Sequence, residues 1–238
     1  MSTPKETINH TKRGIKMINK YKDTIKYWDN VFGQTQEYNP VEKIQIQEIE
    51  NGLSWLVDSN QSTIDYGCGN GKVICRCLDK GMEYVRGIDI CNNAIEIAKS
   101  VIKKFKYEDR AEVICGGLEK LNEIKDNSYE SAILFNILDN LIPEDSKELI
   151  KNIHRIVKPN GKILLKLNPY IAREQRKEYK FIKISDEFYK ENSGLYLWNL
   201  SNEMVEKVID PFFITEKYEE IKFKQFNIIN RMYYLRNR

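Results

Sequence analysis

The run Ser62-Thr-Ile-Asp-Tyr-Gly-Cys-Gly-Asn-Gly71, followed by Gly87-Ile-Asp89, constrains this chain more than any other stretch. A short β-branched segment reaches an acidic residue, turns with glycine at every second position, and opens a helix. A second apolar strand ends in another carboxylate roughly 20 residues on, the position of a ribose-binding acid in nucleoside-binding βαβ units. Gly67 and Gly69 permit a sharp turn and let the backbone approach a ligand closely, and Gly71 is expected to let the helix pack tightly on the strand. The pattern implies a nucleoside-containing ligand lying over the strand ends of a parallel sheet.

The spacing narrows the ligand. A dinucleotide fold reads G-x-G-x-x-G and aims a helix N-terminus at a pyrophosphate. Here the run is Asp-x-Gly-x-Gly-x-Gly. A carboxylate at Asp65 would repel phosphate and suits a ligand bearing an ammonium group. A glycine-rich turn can also be purely structural, so the rest of the chain must decide. The run resembles motif I of the class I S-adenosylmethionine (SAM)-dependent methyltransferases.

Three further segments extend the resemblance: Ala111–Leu121 (third strand and adenine loop), Asp126–Leu141 (fourth strand and its turn) and His154–Leu165 (helix into the fifth strand). Order and spacing match over roughly Gln61 to Leu167. Strand patterns at 62–66, 84–90, 111–115, 129–135 and 162–167 alternate with helical ones at 72–79, 93–105 and 146–157. Such alternation predicts right-handed βαβ units. Asn92 and Asn93 suit the N-cap of the second of these helices, and Lys158-Pro-Asn-Gly161 reads as a helix stop and tight turn. Further on, strands are predicted at 181–184 and 194–200 around Glu191-Asn-Ser-Gly194, a helix at 202–209, and strands at 213–223 and 229–236. The expected fold is α/β: a Rossmann-like, doubly wound, seven-stranded sheet, mostly parallel with an antiparallel last strand, under an N-terminal helical cap. Its divisions are residues 1–50 as cap, 51–168 as SAM-binding core, and 169–238 as a substrate-side hairpin plus the elements completing the sheet.

Composition bounds the partners. The 238 residues carry a net charge of +3, with Lys and Glu interspersed, and this disfavours nucleic acid as a partner without excluding it. No apolar run approaches a bilayer span and the Lys-rich start lacks a signal-peptide core, so a cytoplasmic protein is expected. Five cysteines lie within 68–115, but no second pair or nearby histidine completes a metal set around Cys75 and Cys77, so no metal is expected. Ile15, Ile18, Ile25, Trp28 and Phe32 suggest one helical face, either a lid or a membrane-surface helix.

By position-for-position resemblance, Asp65 would meet the methionine ammonium, with Gly67, Cys68, Gly69 and Asn70 forming the turn. Asp89 would hold the ribose hydroxyls, or else cap a helix. Ile90 would pack on adenine, Leu118 and Glu119 would border its edge, and Asn136 would face the sulfonium. Tyr27 and Trp28 are lid contacts or plain core. The family's adenine-binding Asp is replaced by Gly117, and the histidine pair often found after the fourth strand by Asp139-Asn140. Transfer to SAM's activated methyl carbon needs mainly positioning, so a base is optional; Asp139 and Tyr170 are the candidates. His154 reads as structural.

The function implied is a SAM-dependent methyltransferase acting on a small-molecule acceptor. The alternatives are a nucleic-acid or protein methyltransferase of the same fold, a non-catalytic SAM-binding regulator, and a nicotinamide-linked oxidoreductase, which Asp65 and the glycine spacing oppose.

Overall fold

A computed structural model describes residues 19–34, 42–59, 61–176 and 178–238. Ile15, Ile18 and His10 lie outside that set. Helix α1 (Lys22–Gly33) is followed by α2 (Gln47–Val57), β1 (Ser62–Tyr66), α3 (Lys72–Asp79), β2 (Tyr84–Asp89) and α4 (Asn92–Lys104). Then come β3 (Ala111–Cys115), a 3-10 turn (Leu118–Glu123), β4 (Tyr129–Phe135), α5 (Pro143–Ile156) and β5 (Val157–Leu167). A short α6 (Arg173–Arg176) leads into β6 (Ile182–Ser185), β7 (Phe188–Lys190) and β8 (Tyr196–Trp198). The described chain closes with α7 (Asn202–Ile209), β9 (Phe213–Phe223) and β10 (Ile228–Asn237).

Seven strands form one sheet in the order β3-β2-β1-β4-β5-β10-β9. The pairs from β3 to β5 are parallel, while β10 runs antiparallel to both its neighbours. Alternation along the central strands covers both faces. Leu134 and Leu165 point to the side packed by α5 and α7, and Ile133 and Leu164 to the side packed by α2 and α3. Two apolar layers thus hold the strand ends of β1, β2 and β4 in a fixed frame, the place where doubly wound sheets bind ligands.

Local details differ from expectation in instructive ways. Asn92 and Asn93 do not cap α4: the N-cap residue is Cys91, whose N–H donates to Asp89 Oδ1 at 2.8 Å. Lys158-Pro-Asn-Gly161 is not a turn before the fifth strand but a bulge within it, with Asn160 at φ 63° and the β4 pairing shifting register across it. The predicted hairpin is a three-stranded antiparallel sheet, because Phe188–Lys190 pairs with both flanking strands. Gly71 packs against a helix: a Cβ there would stand 3.0 Å from Cβ of Ala98 in α4. The tight helix–strand approach belongs instead to Gly87 of β2, where a Cβ would stand 2.5 Å from Ile74 Cδ1 and 2.8 Å from Cys68 Sγ.

Candidate active site

Three carboxylates stand at or just beyond the ends of adjacent strands: Asp65 on β1, Asp89 on β2 and Glu119 after β3. Asp89 accepts from the Gly69 N–H and the Cys91 N–H, both at 2.8 Å. Its oxygens keep further lone pairs for hydroxyl donors. Burial raises the Asp89 carboxyl, and those backbone N–H groups oppose the rise. Asp65 is 2% exposed, and its Oδ2 has no hydrogen-bond partner. Burial, with the Asp89 charge added, pushes its carboxyl up to about 8. Glu119 accepts from the Gly117 N–H through Oε1 at 2.9 Å, while its buried Oε2 has no partner.

Above this row lies a cavity of about 190 Å³ whose lining includes Gly67, Gly69, Asp89, Ile90, Asn136 and Trp28. Gly67 and Gly69 adopt φ of +84° and +52°, conformations in which a side chain is strained. A Cβ on Gly69 would also come within 3.2 Å of Phe32. Phe32 belongs to α1, which closes the cavity with Tyr21, Thr24 and Trp28. The helix is held at several points. Tyr21 donates to Asp145 at 2.7 Å and accepts from the Ile142 N–H, Asp29 takes bonds from Cys91 and Asn93, and Asp23 pairs with Lys190 at 2.6 Å.

The other sequence-derived candidates lie around the cavity rather than in its lining. Asp65 lies within electrostatic reach of Asp89, Cys68 and Cys77. Cys68 belongs to the apolar layer shared with α3, and Asn70 Oδ1 accepts from the Lys72 N–H at 3.4 Å. Leu118 is part of the core, and Tyr27 packs edge-on against Trp28. His154 bonds Asn237 at 2.8 Å and lines neither cavity described here.

A second cavity, about 630 Å³, opens between the end of β5, the small β6–β8 sheet and residues 227–229 at the start of β10. Trp28, Asn136 and Asn140 line both cavities, so the two meet there. Tyr170 lines the second, 42% exposed at its rim. Asp139 lines neither: it is 1% exposed, with Oδ2 accepting the Asn168 N–H at 2.7 Å and Oδ1 the Asn168 side-chain amide at 3.3 Å. That geometry makes it the clamp for the segment after β5.

Sequence reasoning missed Lys166. This β5 residue is 5% exposed, pairs in register with Phe135 of β4, and donates to Asn136 Oδ1 at 2.7 Å. Burial pulls its ammonium down to about 8, against the attraction of Asp139. Asn136 itself sits at φ +53°, a conformation asparagine tolerates better than most residues. The lysine gave no signal in the sequence, since only the β4–β5 register brings residues 136 and 166 together.

The chain resembles known proteins in sequence and in fold. A family profile described as a methyltransferase domain matches residues 64–165. A tRNA N(3)-methylcytidine methyltransferase of Schizosaccharomyces pombe is 24% identical over 194 residues, covering 79% of this chain and 62% of its own length. A ribosomal protein L11 methyltransferase of Vibrio parahaemolyticus is 29% identical over 116 residues, 48% of this chain and 36% of that protein. The chain therefore spans less than two thirds of either curated relative. Among solved structures, a Burkholderia thailandensis 1,6-didemethyltoxoflavin-N1-methyltransferase bound to 1,6-didemethyltoxoflavin and S-adenosylhomocysteine aligns with TM-score 0.65 at 11% identity. It covers 100% of this chain and 91% of that one.

Proposed function

We propose, from the match of residues 64–165 to a methyltransferase-domain profile, that the protein is a class I SAM-dependent methyltransferase that moves a methyl group from SAM to a small-molecule acceptor. The observation that carries the reading is the junction of two cavities at Trp28, Asn136 and Asn140: one lies on the glycine turn and Asp89, the other under the β6–β8 sheet.

The residues present fit SAM. The unpartnered buried oxygens of Asp65 and Glu119 call for hydrogen-bond donors, and the strained turn at Gly67 and Gly69 leaves backbone open to a ligand. Asp89 would hold the ribose, Ile90 the adenine face, and Glu119 its amino edge. Asp65 would answer the amino-acid ammonium. When bound, SAM supplies an activated methyl carbon. Trp28 and Phe32 of α1 exclude water from above it, which strengthens every polar contact beneath. Asn136, fixed by Lys166, orients what enters from the second cavity. Tyr170 is placed to contact the acceptor at the rim, while Asp139 shapes the chamber through Asn168.

Small-molecule acceptors are favoured by the size of the second cavity, about 630 Å³. The tRNA-modifying relative supplies the competing reading. Incubating the protein with methyl-labelled SAM and, separately, bulk tRNA, a ribosomal protein fraction and a low-mass metabolite extract distinguishes them. Label in a low-mass product supports the proposal, and label only in RNA or protein overturns the acceptor class. Calorimetry with S-adenosylhomocysteine tests the cofactor: Asp89→Ala should weaken it by about 1–3 kcal/mol through lost charge-assisted hydrogen bonds.

A further inference from the structure

Glu191 puts a negative charge on the wall of the larger cavity. Of the described residues lining that cavity, it is the one whose side chain is charged. It does not line the smaller cavity, whereas Trp28, Asn136 and Asn140 line both. The carboxylate therefore belongs to the acceptor's chamber and not to the seat of the cofactor.

The backbone fixes where this carboxylate stands. Glu191 follows β7 and opens the tight turn into β8: its N–H donates to the Leu195 carbonyl at 2.8 Å, and its carbonyl accepts from the Gly194 N–H at 3.0 Å. Gly194 is in turn tied to α1, where Thr24 donates to its carbonyl at 3.3 Å. Among the described residues, the side chain that bonds the Glu191 carboxylate is Ser193, which donates to Oε2 at 2.9 Å. Oε1 keeps its capacity to accept. The adjacent cation, Lys190, is engaged by Asp23 at 2.6 Å.

A positive group suits the rest of the wall. Trp28, Tyr170, Tyr179 and Phe181 line the same cavity, with Tyr179 and Phe181 stacked at 5.3 Å between centroids and 8° between planes. Ring faces attract cations, and together with a carboxylate they replace the water an ammonium gives up on entry. The charge also has a preferred end. Lys166 donates to Asn136 at 2.7 Å, and its ammonium, like the sulfonium of bound SAM, repels a second cation at the junction of the cavities. A cationic group is thus drawn to Glu191 and held off the point of transfer.

We infer that the acceptor is a low-mass organic ammonium compound, anchored by its charge on Glu191 and methylated at a different atom. This rests on the methyltransferase reading above and deepens it by naming the substrate class. A protonated nitrogen has no lone pair to give, so the anchored group takes no part in the transfer. A lone pair elsewhere in the molecule forms the bond to the methyl carbon as the carbon–sulfur bond breaks. The departing electron pair stays on sulfur, giving neutral S-adenosylhomocysteine, and the positive charge passes to the attacking atom. Where that atom bears hydrogen, the proton leaves to water.

The test compares three ammonium probes, phenethylamine, tryptamine and 2-(1-naphthyl)ethylamine, with carboxylates of the same spacing: 3-phenylpropionate, indole-3-propionate and 3-(1-naphthyl)propionate. Calorimetry at neutral pH reads the affinity of each for the protein's complex with S-adenosylhomocysteine. At least one ammonium probe should bind at least tenfold more tightly than its carboxylate partner. Glu191→Gln, which keeps an acceptor for Ser193, should cut that preference at least fivefold with S-adenosylhomocysteine affinity held within twofold, and Glu191→Lys should reverse it. In parallel, a metabolite extract is split on a strong cation exchanger and each fraction is incubated with methyl-labelled SAM; labelled product should arise from the retained fraction. The inference is overturned if no ammonium probe outbinds its carboxylate, if the preference survives Glu191→Gln, or if product arises from the unretained fraction alone. Failure of S-adenosylhomocysteine itself to bind, or label found only in RNA or protein, removes the underlying reading and the inference with it.

Discussion

Asp65 is the residue whose chemistry most rewards measurement. Its carboxyl titrates near 8 in the folded chain, raised by burial and by Asp89, against about 3.9 when unfolded. Between those values the unfolded state holds fewer protons than the folded one, so this group's contribution to stability falls as pH rises. The slope is up to about 1.4 kcal/mol per pH unit. Asp65→Asn should therefore flatten the decline in urea-unfolding free energy between pH 5 and pH 8. The same residue should lose its proton when an ammonium-bearing ligand arrives. Calorimetry of S-adenosylhomocysteine at pH 7 in buffers of different ionisation enthalpy should show close to one proton released, and none with Asp65→Asn. The placement of Asp65 and Asp89 near the ends of adjacent strands was legible in the sequence, because each acid closes an apolar run before a turn. Lys166 and the clamp role of Asp139 were not, since both depend on contacts across about 30 residues that only the finished sheet creates.

Elements carry the next level of the design. Gly87 lets α3 lie close to β2, with Ile74 and Cys68 occupying the space a side chain would need. Gly87→Ala should destabilise by about 1–3 kcal/mol, the usual cost of overpacking a closed core. A lowered melting temperature with an unchanged far-ultraviolet spectrum would register it. The sequence displayed this glycine without its meaning: periodicity marks β2 as a strand, but not which face α3 presses. The small β6–β8 sheet shows the opposite limit. Its middle strand is three residues long, too short for alternation to announce it, and was missed. The sheet of seven was legible because each buried strand is an apolar run bounded by turn residues, and β9 and β10 are long.

Across the whole molecule, α1 ties the two cavities together. It touches the start of α4 through Asp29, and the hairpin through Asp23, which pairs with Lys190, and Thr24, which donates to the Gly194 carbonyl. A Cβ on Gly194 would stand 2.7 Å from Asp23 Cβ, so the hairpin tip is fitted closely to the helix. Ligand seated under α1 should strengthen its hold. Amide exchange of residues 22–33 should slow at least tenfold on saturation with S-adenosylhomocysteine, and Gly194→Val should reduce that protection. Sequence spacing suggested a lid from Trp28 and Phe32, yet the anchors that hold it are single polar residues scattered from 21 to 194, which no local pattern collects.

Trp28 has one more consequence. Of the three tryptophans in the chain, it is the one that lines both chambers. Its indole is thus a native fluorophore at the meeting point of the two chambers. With Trp55 and Trp198 changed to Phe, one emission spectrum would report the arrival of each reactant in turn, with no dye attached.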